Sequence, residues 1–416
     1  MSVARRLRDF SKYLGPGIIT GASDNDPAGI STYSVTGAAT GYSLLWLSLY
    51  TLPLVIAVQS MCARVGLIAR EGLGTAIKDN YGKTMLIISA FAVLIPNLVT
   101  IGADLAGMAA GINLLVPRFP ISAMVPVVAI IIAVVEILAS YKTIERYLKW
   151  LLLILFAYVF AGFLAQPDWG QALYHTIIPT VKFDKTTLTA IIAVLGTTIS
   201  PYLFFWQASE EVEEIQDEGA QAISKQELRS RLQEVSVGFT FTNIVFFFII
   251  LTTAATLNKQ GIMSITSARQ AAEALAPIAG NASSLLFALG IIGSGILAVP
   301  VLAGSTAYVV SEIFGWREGL NEKLRKAPGF YTVLVVSILI GTSIDLLHIS
   351  PIGALYYSQV IGGLLVPILL VVIMRISNNK EIMNAHVNSR LMNVIGYTAI
   401  VSMTLAALLF IYLSIF

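Results

Sequence analysis

Ser23-Asp24-Asn25-Asp26-Pro27-Ala28-Gly29 interrupts an otherwise apolar span running from about Tyr13 to Thr40. Two carboxylates, an amide, a proline and a glycine stand where a membrane helix has its middle. A carboxylate at that depth costs roughly 2.5–3.5 kcal/mol on the insertion scale, so such residues usually face a cavity and mark a substrate path. Pro27 lacks a backbone donor and disfavours helix at the residue before it, Asp26, while Gly29 permits backbone closed to other residues. The stretch predicts a helix broken in two, with carbonyls and carboxylates free at the break. Irregular backbone at bilayer depth is tolerated only against protein or a water-filled cavity, and there it outlines a cation site.

The rest of the chain fits that setting. Of 416 residues, 56% are hydrophobic and 12% charged, and the mean hydropathy is +0.80. Apolar runs of spanning length recur from end to end, which predicts an all-α polytopic membrane protein. The basic start (Arg5, Arg6, Arg8, Lys12) is followed by a span too long and too polar at its centre for a cleaved signal, so none is expected. A net charge of +2 without a basic, aromatic-interleaved tract gives no reason to expect a nucleic-acid partner. Cys62 is the one cysteine, which excludes an intrachain disulfide and a thiolate cluster. His175, His348 and His386 fall in predicted loops or at span edges, away from any intramembrane metal or proton relay.

Eleven spans are predicted, at about 13–40 (broken), 44–63, 85–110, 121–140, 147–165, 187–214 (broken), 235–257, 281–312, 331–348, 352–375 and 391–415. With the N-terminus in the cytoplasm, 21 of the 26 lysines and arginines fall inside; Arg118, Lys182, Lys185, Lys259 and Arg269 fall outside. That bias predicts a cytoplasmic N-terminus and an external C-terminus. The expected location is the plasma membrane, or the inner membrane in a bacterium.

Span six reads Ile191-Ile-Ala-Val-Leu-Gly-Thr-Thr-Ile-Ser200-Pro201-Tyr-Leu-Phe-Phe-Trp206, again with Gly, Thr, Ser and Pro at mid-span. Two interrupted helices five spans apart, crossing in opposite directions, predict an inverted five-plus-five repeat with a substrate site at the midplane between the breaks. The organisation expected is a cytoplasmic N-terminus (1–12), a first five-helix repeat (13–165, broken near 23–29) and an extracellular loop (166–186). A second repeat (187–375, broken near 197–202), then a cytoplasmic loop with helix eleven (376–416), complete it.

Gly15-Pro16-Gly17, the Asp26-Pro27 and Ser200-Pro201 breaks, Asp104-Leu105-Ala106 with Asn113-Leu114-Leu115, and Ser358-Gln359-Val360 resemble the NRAMP divalent-metal transporters over nearly the whole chain. The resemblance implies the LeuT-type fold. It also implies an ion held by an Asp and an Asn from the first break, a Met and a carbonyl from the second, and a span-ten Gln. The departures carry information. Gly29 stands where the family pattern Asp-Pro-Gly-Asn has its Asn, so Asn25 is expected to supply the amide. Family Met-Pro-His is here Ser200-Pro201-Tyr202, a second family histidine aligns with Gln207, and the acid after Asp-Leu-Ala is Gly107. Ser200 in place of a soft sulfur leaves an all-oxygen site, suited to Mg²⁺, Mn²⁺ or Ca²⁺. The lost histidines and acid remove much of a proton path, as in NRAMP-related magnesium transporters.

The expected substrate is therefore a hard divalent cation, Mg²⁺ or Mn²⁺, moved by alternating access with weak or absent proton coupling and no cofactor. The metal site is assigned to Asp26, Asp24, Asn25, Ser200 and Gln359, with carbonyls near Ser23 and Ile199. Asp104, Glu210 and Glu213 are assigned to the ion path. Glu211 and Glu214 are read as a solvated helix end leading into a charged loop, 217–234, and Glu136 as a partner of Arg146. Tyr202 and Trp206 are read as packing, and the small residues of span eight as close helix contact. The Gly-rich loop 64–83 lacks the Gly-Lys-Ser/Thr ending of a phosphate loop, so no nucleotide is expected. The partners are the ion and the lipid bilayer, and the chain is expected to act as a monomer. The competing reading is an amino-acid or other small-solute carrier of the same fold, against which the paired acids Asp24 and Asp26 argue. An intramembrane enzyme is disfavoured because the spans hold no serine–histidine pair.

Overall fold

The computed structural model describes residues 16–138, 155–219, 223–276, 280–343 and 349–415. The N-terminal segment 1–12, the first half of predicted span five, Arg146 and His348 lie outside them. Every regular element among the described residues is helical. The predicted first span is two helices, α1 (Pro16–Ser23) and α2 (Pro27–Thr40). Then come α3 (Trp46–Ala69), α4 (Leu73–Leu115), α5 (Ile121–Leu138), α6 (Leu155–Leu164) and a short α7 (Trp169–Ile177). The predicted sixth span is again two helices, α8 (Lys185–Thr198) and α9 (Pro201–Glu218). The chain continues with α10 (Lys225–Thr256), α11 (Ala268–Glu273), α12 (Ser283–Phe314), α13 (Pro328–Thr342), α14 (Pro351–Asn378), α15 (Lys380–Met383) and α16 (Arg390–Ile415). Among the described residues, eight helical segments are long and apolar enough to cross a membrane.

Both breaks have the same local cause. Asp26 (φ −69°, ψ 169°) and Ser200 (φ −73°, ψ 127°) hold extended backbone, each followed by a proline at the first position of the next helix. Proline forbids helix at the preceding residue yet is preorganised to start one. The segment 64–83 is helical rather than a loop. Helix α3 runs on to Ala69, α4 begins at Leu73, and the chain bends at Gly82, whose φ of 85° suits only glycine. The described residues of 217–234 are likewise mostly helical, because α9 runs to Glu218 and α10 starts at Lys225 behind the cap Ser224.

The half-helices are held by backbone contact. α1 lies against α10, where a Cβ on Gly17 would sit 2.5 Å from the Val235 nitrogen and one on Gly21 2.7 Å from the Gly238 Cα. α8 lies against α14, where a Cβ on Gly196 would sit 2.5 Å from the Gly363 nitrogen. α2 is fixed to α10 by Tyr33 stacked on Phe246 at 4.4 Å. The α4–α12 pair forms the largest helix contact, with the Asn97 amide donating to Thr306 at 3.1 Å. By contrast α5 and α16 carry outward aliphatic faces, including Ile130, Ile131, Leu405 and Leu408, as lipid-facing helices do.

Gly196→Ala is expected to lower stability by about 1–3 kcal/mol, the usual cost of overpacking a tight contact. Gly111→Ala, whose new methyl would meet neighbours at an ordinary 3.4 Å or more, is expected to leave thermal unfolding in detergent nearly unchanged. Equal effects of the two would contradict the tight α8–α14 contact.

Candidate functional site

The two breaks face each other, and their polar groups are buried. Asp24, Asn25 and Asp26 are each 1–2% exposed, Ser200 is 2% and Asp104 fully buried. Asp26 caps its own helix: its carboxylate accepts the Gly29 N–H. Asp104, from the middle of α4, reaches the same helix end and accepts the Ala28 N–H at 3.1 Å. Two carboxylates thus sit at the positive end of α2, which stabilises them both by hydrogen bond and by dipole.

Asp24 points the other way, to the second break, and accepts the Ser200 hydroxyl at 3.1 Å. Tyr202, one residue past Pro201, donates to the Ser23 carbonyl at 3.0 Å, and its own carbonyl accepts from Ser305 of α12 at 2.8 Å. Tyr33 and Thr198 share a hydrogen bond of 3.2 Å between α2 and α8. Side chains therefore bridge the breaks directly, and Tyr202 is a bridging residue rather than packing alone.

Oxygen atoms remain over. Asp24 Oδ2, Asn25 Oδ1, Asp104 Oδ2 and Thr197 Oγ1 are buried without a hydrogen-bond partner. Gly29 shows how closely such atoms converge. A Cβ there would lie 3.0 Å from Asp26 Oδ1, 3.1 Å from the Asp24 carbonyl oxygen and 3.1 Å from Thr197 Oγ1. Only a glycine leaves those three oxygens facing one another. Thr197 was not singled out from sequence, although the Thr197-Thr198 pair directly before the second break was the visible signal.

Other assigned residues are placed differently. The Asn25 amide turns away from Asp24, donating to Thr242 of α10 at 3.2 Å, and Thr242 in turn bonds the Gly21 carbonyl. Gln359 is buried on α14 and donates to its neighbour Ser358 at 3.2 Å, while its backbone faces Gly196 of α8. Ile199 is fully buried with non-helical backbone (φ −111°, ψ 64°), so its carbonyl leaves the helical ladder at the break.

The acids of α9 require correction. Glu211 is fully buried and accepts from Gln207 at 2.8 Å, so it does not belong to a solvated helix end, whereas Glu214, 33% exposed, pairs with Arg231 of α10. The cause is α3, which packs along this face of α9 with Gly66 against Ala208 and Glu211. Glu213 accepts from the Tyr308 hydroxyl and from the Leu320 and Asn321 amides, the latter two at 2.8 and 3.1 Å. It staples the α12–α13 connection. Glu210 is 6% exposed. Glu136 is also buried, with one carboxylate oxygen unpartnered. Among the described residues, no three His, Cys, Asp or Glu side chains gather as a metal cluster. Any cation here relies on one or two carboxylates plus neutral oxygens.

A family model described as natural resistance-associated macrophage protein-like matches residues 17–413. A divalent metal cation transporter MntH of Caldanaerobacter subterraneus is 26% identical over 94% of this chain and 90% of its own. The MntH of Clostridium acetobutylicum is 25% identical over 99% and 93%. The solved manganese transporter of Eremococcus coleocola superposes with a TM-score of 0.77 at 19% identity, covering 97% of this chain and 86% of that one. Mhp1 in its inward-facing conformation superposes with a TM-score of 0.56 at 12% identity, covering 96% and 91%. These likenesses show the expected fold class, an all-helical fold of LeuT type.

Asp104→Ala is expected to lower stability by about 0.5–2 kcal/mol through loss of the α2 cap, with Asp104→Asn retaining most of it. Thermal unfolding of the two variants separates capping from any role in ion passage; equal losses would contradict the cap.

Proposed function

The chain belongs to the Nramp family, and from that membership we propose that it carries a divalent metal cation across the membrane by alternating access. The relatives named above are divalent metal cation transporters, and the superposed Eremococcus protein is a manganese transporter. The observation that supports the finer reading is the set of buried oxygens left without a hydrogen-bond partner at the breaks and on α4: Asp24 Oδ2, Asn25 Oδ1, Asp104 Oδ2 and Thr197 Oγ1, with no sulfur or imidazole among them.

In this reading Asp26 and Asp24 offset the ion's charge. Thr197 and Ser200 supply hydroxyls, the Ser23 and Ile199 carbonyls supply lone pairs, and Gln359 borders the site from α14. Asn25 ties the first break to Thr242 through its amide N–H and leaves its buried amide oxygen free of hydrogen bonds, as a further donor for the ion. Oxygen donors of this kind suit Mg²⁺ or Mn²⁺, and Mg²⁺ keeps several waters. Proton coupling is weak or absent, because Tyr202 and Gln207 occupy the positions of family histidines. The breaks rock between inside-open and outside-open states in a chain of eleven crossings, with its N-terminus in the cytoplasm and its C-terminus outside. The amino-acid reading is disfavoured on physical grounds: the paired acids Asp24 and Asp26 would repel a substrate carboxylate, and at α2 the Ala28 and Gly29 amides already hold Asp104 and Asp26.

Calorimetric titration of the purified protein is expected to give saturable Mg²⁺ and Mn²⁺ binding that Asp26→Ala abolishes. Binding by neither protein, or by both alike, would overturn the reading. Ser200→Met is expected to raise affinity for Cd²⁺ relative to Mg²⁺ by about tenfold, as a soft ligand should. An unchanged ratio would remove Ser200 from the ion's surroundings.

A further inference from the structure

Away from the breaks, a groove of about 590 Å³ opens beside the first turns of α10. Its wall is one stripe of that helix, with Lys225, Leu228, Arg229, Leu232 and Ser236 among its residues, and His386 faces them from the turn after α15. The spacing of three and four residues puts cations and leucines on a single face. Neither Lys225 nor Arg229 has a hydrogen bond or ion pair among the described residues, and no Asp or Glu borders the groove. The neighbouring Arg231 is different: it points into the protein to Glu214.

The opposite wall is built rather than draped. Arg64, buried in α3, donates to the His386 carbonyl at 2.9 Å and to the Asn388 side chain. Asn388 is buried and tied in turn to Asn393 at 3.1 Å, while its backbone N–H bonds the Ser377 carbonyl at 3.1 Å. A buried arginine therefore pins the turn that completes the groove. The groove also has a fixed depth: its last residue, Ser236, lies at the start of the predicted membrane span of α10. Cations and leucines share the boundary between water and hydrocarbon.

We propose that this groove holds the phosphate group of an anionic phospholipid, with Lys225 and Arg229 pairing the phosphate and Leu228 and Leu232 contacting the start of the acyl chains. Basic pockets between helices at that level suit lipid headgroups, and each cation near such a surface is worth about fivefold in affinity. The apolar residues and the interfacial depth select a lipid over a free phosphate, which would gain nothing from the leucines. The lipid would bridge α10, which packs on both halves of the broken first span, to the α14–α16 connection.

The test is native mass spectrometry of the full chain in detergent, titrated with phosphatidylglycerol or phosphatidylcholine, with inorganic phosphate as a competitor. The parent should prefer phosphatidylglycerol. Lys225→Gln with Arg229→Gln should weaken it by about 25-fold. Lys182→Gln with Lys185→Gln, which removes equal charge elsewhere, should leave it unchanged. If the double variant folds poorly, Arg229→Gln alone should show about a fivefold loss. Equal phosphatidylglycerol binding by parent and variant would overturn the proposal. So would displacement by millimolar inorganic phosphate, which would assign the groove to a free anion.

Discussion

Three carboxylates buried at membrane depth set the terms for this structure. A charge there is affordable only where hydrogen bonds, dipoles or an ion of opposite sign offset its lost hydration. The first break supplies the backbone donors. By stopping α1 at Ser23 and starting α2 at Pro27, the chain exposes N–H groups that donate to Asp26 and Asp104. The second break supplies the Ser200 hydroxyl for Asp24. Among the described residues none supplies these carboxylates with a basic partner, and the unpartnered oxygens on Asp24, Asn25, Asp104 and Thr197 are what the proposed cation site rests on.

The breaks stay in register because glycines let helices touch. Gly17 and Gly21 set α1 on α10, and Gly196 with Gly363 sets α8 on α14. Contacts of this kind allow no slack, so half-helices move with their neighbours rather than alone. Tyr202 links the two systems, reaching the Ser23 carbonyl with its hydroxyl while Ser305 of α12 holds its backbone. Motion of either break is thereby felt at the other.

The fold was legible because hydropathy and proline position act locally. Asp26-Pro27 and Ser200-Pro201 dictate helix breaks wherever they occur in an apolar span, and both stand where the residues put them. Side-chain direction was less legible, since it depends on the neighbour across the gap. Asn25 lies beside Asp26 in sequence but turns to Thr242, 217 residues on. Glu211 and Glu214 read as a charged, solvated end because nothing local reveals that α3 packs on Glu211 or that Arg231 of α10 reaches Glu214. Thr197 was overlooked for the opposite reason: a threonine in a membrane helix ordinarily bonds its own preceding turn, and its approach to Gly29 is a long-range event.

The most direct test of a cation site between the breaks is anomalous diffraction from crystals of the protein grown with Mn²⁺. A single strong peak is expected between Asp24–Asp26 and Thr197–Ser200, with oxygen neighbours at about 2.0–2.6 Å, the range of hard cations. A peak elsewhere, or none at this position under saturating metal, would contradict the assignment of these buried oxygens to a transported ion.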